Sequence, residues 1–518
     1  MKHVAFLDTT LRDGIKIPGL MLLPEEKIQI ARQIATLGVD ILEGGFPAAS
    51  EEQYRTLCVM AEEIQGPSFC VLARATNPED FRIARDVLKR HPKPRIHTFI
   101  PASAAYRDHF LKKPLDECLR IAVEAVKRGK DVADHVEFSF VDAFRASENE
   151  LLKLLDAVLE AGADTITFAD TVGYATPWLI ENIIGKICSE IKDEIVVGIH
   201  CHNDLGLATP NSIAALRAGA SLVHCTVNGL GERAGNARLE EIATIIAIHG
   251  KALGLSTSVA MDRIGPVCRL LERHTGISFG PLKPLTGSYA FYCEPSGPQI
   301  GDVAELPPCF VIREEDIGMV KNGEPMDQDT PFEVFKARVK ELGYVLKEGE
   351  YQRCYETFQR LASKKENIFN SDLELIVRQA LFHVPQKYRL LYLNVSAGSI
   401  PVPHATVQLE IDGQVVQDAG FGHGPVDAAF KTIFRMVRRF PKLIHYEVKA
   451  ATLGTDAQGM VLLRVQEGDT IVDGWGAHVD IVLASAQALI DALNKLEHYG
   501  GRREVSEYTD DEAWSIVL

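Results

Sequence analysis

The chain has 518 residues, 46% hydrophobic and 24% charged, with a formal net charge of −16. That length calls for two or three domains and supplies ample apolar material for their cores. The acidic balance and the lack of a Lys/Arg-rich block argue against nucleic acid as a partner, no apolar run reaches the about 18 residues of a membrane span, and ten scattered cysteines without a Cys-x-x-Cys pair fit free thiols in a reducing cytoplasm.

The N-terminus, Met1-Lys2-His3-Val4-Ala5-Phe6, runs directly into a strand pattern and lacks the features of a signal peptide. Eight short apolar runs of β type follow: Val4–Thr9, Ile41–Phe46, Phe69–Ala73, Arg95–Ile100, His135–Phe140, Thr165–Asp170, Val196–Cys201 and Leu222–Val227. Most gaps between them carry amphipathic helical patterns, as at Pro24–Leu37, Leu115–Lys127 and Glu148–Ala161. Eight strands alternating with helices predict an α/β fold, a (β/α)8 TIM barrel over residues 1–255. An open doubly wound sheet is the competing arrangement, but no G-x-G-x-x-G turn follows the first strand. Residues 256–388 mix short helices with Pro- and Gly-containing stretches and read as a helical connecting subdomain, with Pro331–Ala362 helical. From 389 to 518 strand runs return at Leu390–Ser396, Thr406–Ile411, Ile444–Ala451, Val461–Gln466 and His478–Val482. Helical patterns at Pro425–Arg438 and Ala484–Lys495 accompany them in an α+β domain, and Arg502–Leu518 reads as a charged tail or arm.

Chemistry in such barrels sits at the C-terminal ends of the strands. Polar residues gather there: Asp8-Thr9-Thr10-Leu11-Arg12-Asp13 after the first run, Glu43 in the second, His97 and Thr98 in the fourth, Glu137 and Ser139 in the fifth, Asp170-Thr171 in the sixth. The seventh ends in His200-Cys201-His202-Asn203-Asp204. Residues i and i+2 of a strand face one side, so both imidazoles can reach one point. An isolated His-x-His is more often a pair of core or turn histidines. With the carboxylate of Asp13 beside them, the set suits a catalytic divalent ion that keeps open positions. Arg12 is a planar cation fit to hold a carboxylate or developing oxyanion. Asn236, in the loop Asn228-Gly229-Leu230-Gly231-Glu232-Arg233-Ala234-Gly235-Asn236, offers an amide oxygen as a fourth ligand, and the glycines allow close backbone approach.

Leu7–Gly14 (LDTTLRDG), Gly45–Ala48 (GFPA), Asp170–Tyr174 (DTVGY), His200–Leu207 (HCHNDLGL) and Asn228–Asn236 (NGLGERAGN) together resemble the 2-isopropylmalate synthase branch of the metal-dependent, pyruvate-handling TIM barrels, which includes homocitrate and citramalate synthases. The resemblance resumes at Gly424–Ala428 and Thr455–Gly459, which look like that family's regulatory, dimer-forming domain. It implies a divalent cation (Mg²⁺ or Mn²⁺, with Zn²⁺ as a further option) on Asp13, His200, His202 and Asn236. It further implies that Arg12 stabilises an enolate or alkoxide, and that Glu137 and Thr171 line an α-keto acid pocket. The implied reaction is a Claisen condensation of acetyl-CoA with an α-keto acid, as in leucine biosynthesis, in a homodimer whose C-terminal domain senses an amino-acid effector. His423 lies in the matching effector loop, where its bland role is turn-building.

Two departures stand out. Ile15-Lys16 occupy the place of the family's Glu-Gln after Arg-Asp-Gly. Ala290–Gln299 (AFYCEPSGPQ) replaces A-F-x-H-E-S-G-I-H. Cys293 falls where the family's acid/base histidine stands, Gln299 replaces the second histidine, and Pro295 looks inserted. Three readings follow: condensation with Glu294, Cys293 or Tyr292 as the replacement acid/base; metal-assisted aldol chemistry on a more anionic substrate, with Lys16 adding positive charge near the carbonyl; or a non-catalytic regulatory paralogue.

Overall fold

The computed structural model describes all residues except 19, 21, 23, 193, 278, 288–289, 292–309, 320–325, 343–347, 364–367, 369, 371, 374–375, 378–386, 397, 399–401, 451–458, 469 and 500–518. Eight parallel strands close into a barrel: β1 (Ala5–Asp8), β2 (Ile41–Gly45), β3 (Ser68–Arg74), β4 (Pro94–Pro101), β5 (His135–Val141), β6 (Thr165–Asp170), β7 (Val196–Cys201) and β8 (Leu222–Cys225). Eight helices follow them in turn: α1 (Pro24–Thr36), α2 (Glu51–Glu63), α3 (Pro78–Leu88), α4 (Leu115–Lys130), α5 (Glu148–Glu160), α6 (Pro177–Glu190), α7 (Ala208–Arg217) and α8 (Leu239–Leu253). Local chemistry sets their starts. Ser50 Oγ accepts the Gln53 N–H at α2, and Asn77 caps α3 just ahead of Pro78, whose missing N–H costs nothing at the first helical position.

The strands alternate strictly. Phe6, Leu42, Phe69, Ile96, Phe138, Phe140, Ile166, Phe168, Ile199 and Val223 join the apolar layer between sheet and helices. Each fully buried side chain of this kind stabilises the fold by about 1.5–3 kcal/mol. The residues between them face the barrel axis. Leu7, Ile41, Cys70 and Leu222 form a small apolar plug; further inward positions carry Glu43, Arg95, His97, Glu137, Ser139, Thr165, Thr167, His200 and His224, all buried. Parallel strands covered on both faces are usually apolar throughout. Here the inner face carries charge instead, which is the first structural sign of a site. Lys2–His3 pairs in parallel with Leu255–Ser256 and ties the chain start to the segment after α8.

Internal contacts divide the described chain into two compact units, Met1–Lys321 and Asn322–Leu518. The first unit adds α9 (Ile264–Thr275) to the barrel. The second contains α10 (Phe332–Glu341) and α11 (Glu348–Ala362) around a core with Phe335, Val339, Tyr351 and Phe358. After these come two antiparallel three-stranded meanders, each followed by a helix: β9 (Tyr388–Ser396), β10 (His404–Ile411), β11 (Gln414–Phe421) and α12 (Pro425–Val437); then β12 (Lys442–Ala450), β13 (Gly459–Glu467), β14 (Thr470–His478) and α13 (Ile481–Tyr499).

Two details differ from the sequence expectation. β11 was not expected, yet it pairs with β10 from His404↔Phe421 to Ile411↔Gln414. Asp412 and Gly413 turn the hairpin at positive φ (48° and 79°), the conformation an Asp-Gly hairpin turn requires. The strand expected at 478–482 is instead the end of β14 and the start of α13, because Asp480 Oδ1 accepts the Val482 and Leu483 N–H groups. No helix among the described residues is long and apolar enough to cross a membrane. The eight described cysteines are all free.

Candidate metal centre

The chain leaves β1 through Thr9 into a single π-helical turn, Thr10–Gly14. Thr9 holds that turn open by accepting the Asp13 N–H, and the turn brings Asp13 back over the barrel axis. There its Oδ2 lies 3.5 Å from His200 Nε2 and 3.6 Å from His202 Nε2, while the two imidazole nitrogens are 3.3 Å apart. A triangle of these sides has its centre about 2 Å from each corner, the length of a divalent-cation bond to nitrogen or oxygen. Asp13 Oδ2 is buried without a hydrogen-bond partner. Asn236 is bridged to His202 through the backbone and donates its Nδ2 to Leu230 O at 2.9 Å. Its Oδ1 is also buried and unpartnered. Buried acceptors left unpaired are costly. One carboxylate oxygen and two imidazole nitrogens with this spacing are a donor set that a divalent cation satisfies, and the Asn236 loop joins them through its bridge to His202. Gly235 is needed to make the loop, since a Cβ there would fall 2.0 Å from Gly229 O, at φ 85°.

The electrostatics agree. Burial pushes both His200 and His202 down to about 4, only partly opposed by Asp13, so both rings are neutral near pH 7 with lone pairs to give. Burial alone would raise the Asp13 carboxyl. Arg12, His200 and Lys16 overcome it and hold Asp13 well below the usual carboxylate range. Arg12 NH1 and Lys16 Nζ both reach Asp13 Oδ1, at 2.7 and 2.8 Å, and leave Oδ2 to the histidines. Arg12 Nε is fixed by Glu43 Oε2 at 2.8 Å. Lys16 is half exposed.

The next layer of the barrel supports this one. His97 bridges Glu43 Oε1 and Ser139 Oγ, each at 2.7 Å, and Glu43 also accepts from Thr9 Oγ1 at 2.6 Å. Glu137 accepts from His224 (2.6 Å), Thr167 (2.8 Å) and Arg95 (3.1 Å). The His224 ring meets those of His200 and His97 edge-on at 5.5 and 5.6 Å. His97, Glu137 and Ser139 thus lie one layer away from the Asp13–His200–His202 cluster and reach it through the His224 ring. Thr171 lies at the rim, where its Oγ1 accepts the Asp142 N–H at 2.8 Å and keeps its own proton to donate. Tyr292, Cys293 and Glu294 lie outside the described residues. Sequence reasoning passed over Arg95 and His224, although both sit at inward positions of the same alternation that flagged Glu137.

The HMGL-like family model matches residues 3–270, and the LeuA allosteric (dimerisation) domain model matches residues 367–497. The chain is 39% identical over 498 residues to a 2-isopropylmalate synthase of Syntrophus aciditrophicus (strain SB), covering 96% of each chain. It is 39% identical over 505 residues to a 2-isopropylmalate synthase of Dictyoglomus turgidum, covering 97% of this chain and 100% of that one. With a metal-spaced triad in an HMGL-like barrel, a LeuA dimerisation domain later in the chain, and identity at that level across nearly the whole length, the chain belongs to the 2-isopropylmalate synthase family of condensing acyltransferases.

Proposed function

We propose that the protein condenses acetyl-CoA with an α-keto acid at a divalent cation, Mg²⁺ or Mn²⁺, held by Asp13, His200, His202 and Asn236. The observation that carries this reading is the convergence of the unpaired, buried Asp13 Oδ2 with two neutral imidazoles; the unpaired, buried Oδ1 of Asn236, whose backbone is bridged to His202, supports it. The bound cation supplies Lewis-acid polarisation of the keto carbonyl. Arg12 is already oriented by Glu43 and Asp13, so its remaining N–H groups meet negative charge developing on the carbonyl oxygen without reorganisation. Thr171 donates its hydroxyl proton to the acceptor's carboxylate. His97, Ser139 and Glu137 hold the layer beneath and keep the ligand-bearing strands in register. Lys16 has one of its three donors on Asp13 and turns the others to an anionic group of the acceptor. A proton leaves the acetyl methyl for a base drawn from Tyr292, Cys293 and Glu294. The methyl carbon bonds to the keto carbon, the keto oxygen takes a proton, and water cleaves the thioester to release the CoA thiol.

The LeuA-type second unit is proposed to pair two copies of the chain and to bind an amino-acid effector. The test of the condensation is thiol release from acetyl-CoA with Mn²⁺ and a panel of α-keto acids. Release that needs both the keto acid and the metal is expected, and no release with any acceptor overturns the reading. Lys16→Gln is expected to raise KM for the keto acid with less effect on kcat; an unchanged KM removes Lys16 from acceptor binding.

A further inference from the structure

Two residues of the family motifs are left without a task by the metal reading: Asp204, two positions past His202, and Arg233, three positions before Asn236. They face each other. Arg233 Nε lies 2.7 Å from Asp204 Oδ1, and its NH2 lies 3.1 Å from Asp204 Oδ2 and 2.7 Å from Thr171 O. One guanidinium therefore ties together the loops after β6, β7 and β8. Between the pair and the ligands, Asn203 N–H donates to Gly235 O at 2.9 Å, and His202 and Asn236 share a backbone bridge.

The loop needs such a tie. Five of the nine residues Asn228–Asn236 have positive φ: Asn228, Gly229, Gly231, Arg233 and Gly235. Arg233 itself, at 57°, adopts a conformation that side chains other than Gly and Asn seldom take. A backbone with so many glycines has many alternative conformations to visit. Such a conformation breaks the backbone bridge that seats Asn236 against His202. Apparent affinity for a ligand falls by the fraction of molecules in the competent arrangement.

We propose that the Arg233–Asp204 pair is a clasp that fixes the two ligand-bearing loops against each other, which makes Arg233 a positioning residue for the metal. The proposal rests on the reading that Asp13, His200, His202 and Asn236 take a divalent cation. The clasp does this without anchoring the fold. Both side chains are partly exposed, at 38% and 26%, and such ion pairs contribute little to global stability. The two roles can therefore be separated by experiment.

The experiment is calorimetric titration of Mn²⁺ into the metal-free full chain, for the wild type, Asp13→Ala, Arg233→Ala, Arg233→Lys, Asp204→Ala and the double Arg233→Ala/Asp204→Ala variant, with the melting temperature of each metal-free protein. Arg233→Ala is expected to weaken Mn²⁺ binding about tenfold, the lower end of what outer residues of a metal site contribute, with no change in melting temperature. Asp204→Ala is expected to match it, and the double variant to be no worse than either single one. Arg233→Lys is expected to recover only part of the affinity, since an ammonium cannot grip three acceptors in one plane. Equal Mn²⁺ affinity in Arg233→Ala and the wild type overturns the clasp and leaves the metal reading standing. A melting temperature that falls along with the affinity overturns it in favour of a purely structural pair. Wild type that takes up no more Mn²⁺ than Asp13→Ala overturns the metal reading, and the clasp with it.

Discussion

Two layers of acidic side chains line the inside of this barrel. All are buried and each meets at least one fixed cation, yet they are finished differently. In the lower layer every carboxylate oxygen is taken: Glu43 by His97, Thr9 and Arg12, Glu137 by His224, Thr167 and Arg95. In the upper layer Asp13 has one oxygen crowded by two cations and the other bare, beside two neutral imidazoles. A completed network rigidifies what it holds. An incomplete one is a standing cost unless something completes it. The difference separates scaffold from site with no reference to any relative.

The sharpest way to break that comparison is to remove the bare carboxylate. Asp13→Ala is expected to abolish Mn²⁺ uptake and to lower thiol-release turnover by at least about a thousandfold, the scale of several kcal/mol of lost charge stabilisation. The metal-free fold should lose less stability than in Glu137→Ala, because Arg12 keeps Glu43 as a partner and Lys16 is half exposed. Tight Mn²⁺ binding by this variant would place the site elsewhere.

Glu137→Ala is expected to do the reverse. It strands the buried Arg95 guanidinium and removes the partner of His224, so urea unfolding should report a loss of about 3–5 kcal/mol. Mn²⁺ affinity should move by less than in Asp13→Ala, since Glu137 reaches the ligands only through the His224 ring against His200. A loss under about 1 kcal/mol would mean the lower layer is not the support described here.

How much of this could be read from the chain depends on the range of the interaction. The barrel was legible because period-two alternation and helical stripes are local, and the histidine pair because i and i+2 share a face. Asp13 was legible as the carboxylate partner of the two histidines, but the path that carries it to them was not. It reaches the histidines only through the π-helical turn over Thr9, and nothing in TLRDG signals that a turn will widen. Arg95 and His224 were passed over because what marks them is a distant partner: Glu137 is 42 and 87 residues away. Arg233 was hidden by its neighbours: in a glycine-rich loop the glycines draw the eye, while the clasp needs Asp204, 29 residues earlier. The hairpin partner β11 was missed although Asp412-Gly413 announces the turn, because Gln414, Gln417 and Asp418 dilute its alternation.

Asp8 adds a third way to bury a carboxyl and gives the finest test of the comparison. It has neither a cation, like Glu43, nor a metal-ready neighbour, like Asp13. Its oxygens receive only the Thr10 N–H and hydroxyl, at 3.0 and 2.8 Å. Burial, reinforced by Glu43 and Glu240 and only partly relieved by Thr10, raises it from 3.8 to about 7. Between those two values the folded protein keeps a proton that the unfolded chain has released. Asp8 therefore costs stability as pH climbs from about 4 to 7, and the cost levels off above 7 at no more than roughly 4 kcal/mol. Asp8→Asn keeps the shape and cannot ionise. Measured against wild type by urea unfolding, its relative stability should rise from pH 5 to about pH 7 and flatten toward pH 8, while the opposite slope from Asp13, Glu43 and Glu137 is common to both proteins and cancels. A difference that stays constant with pH would mean Asp8 is ionised throughout, and that a cation not identified among its neighbours shares its pocket.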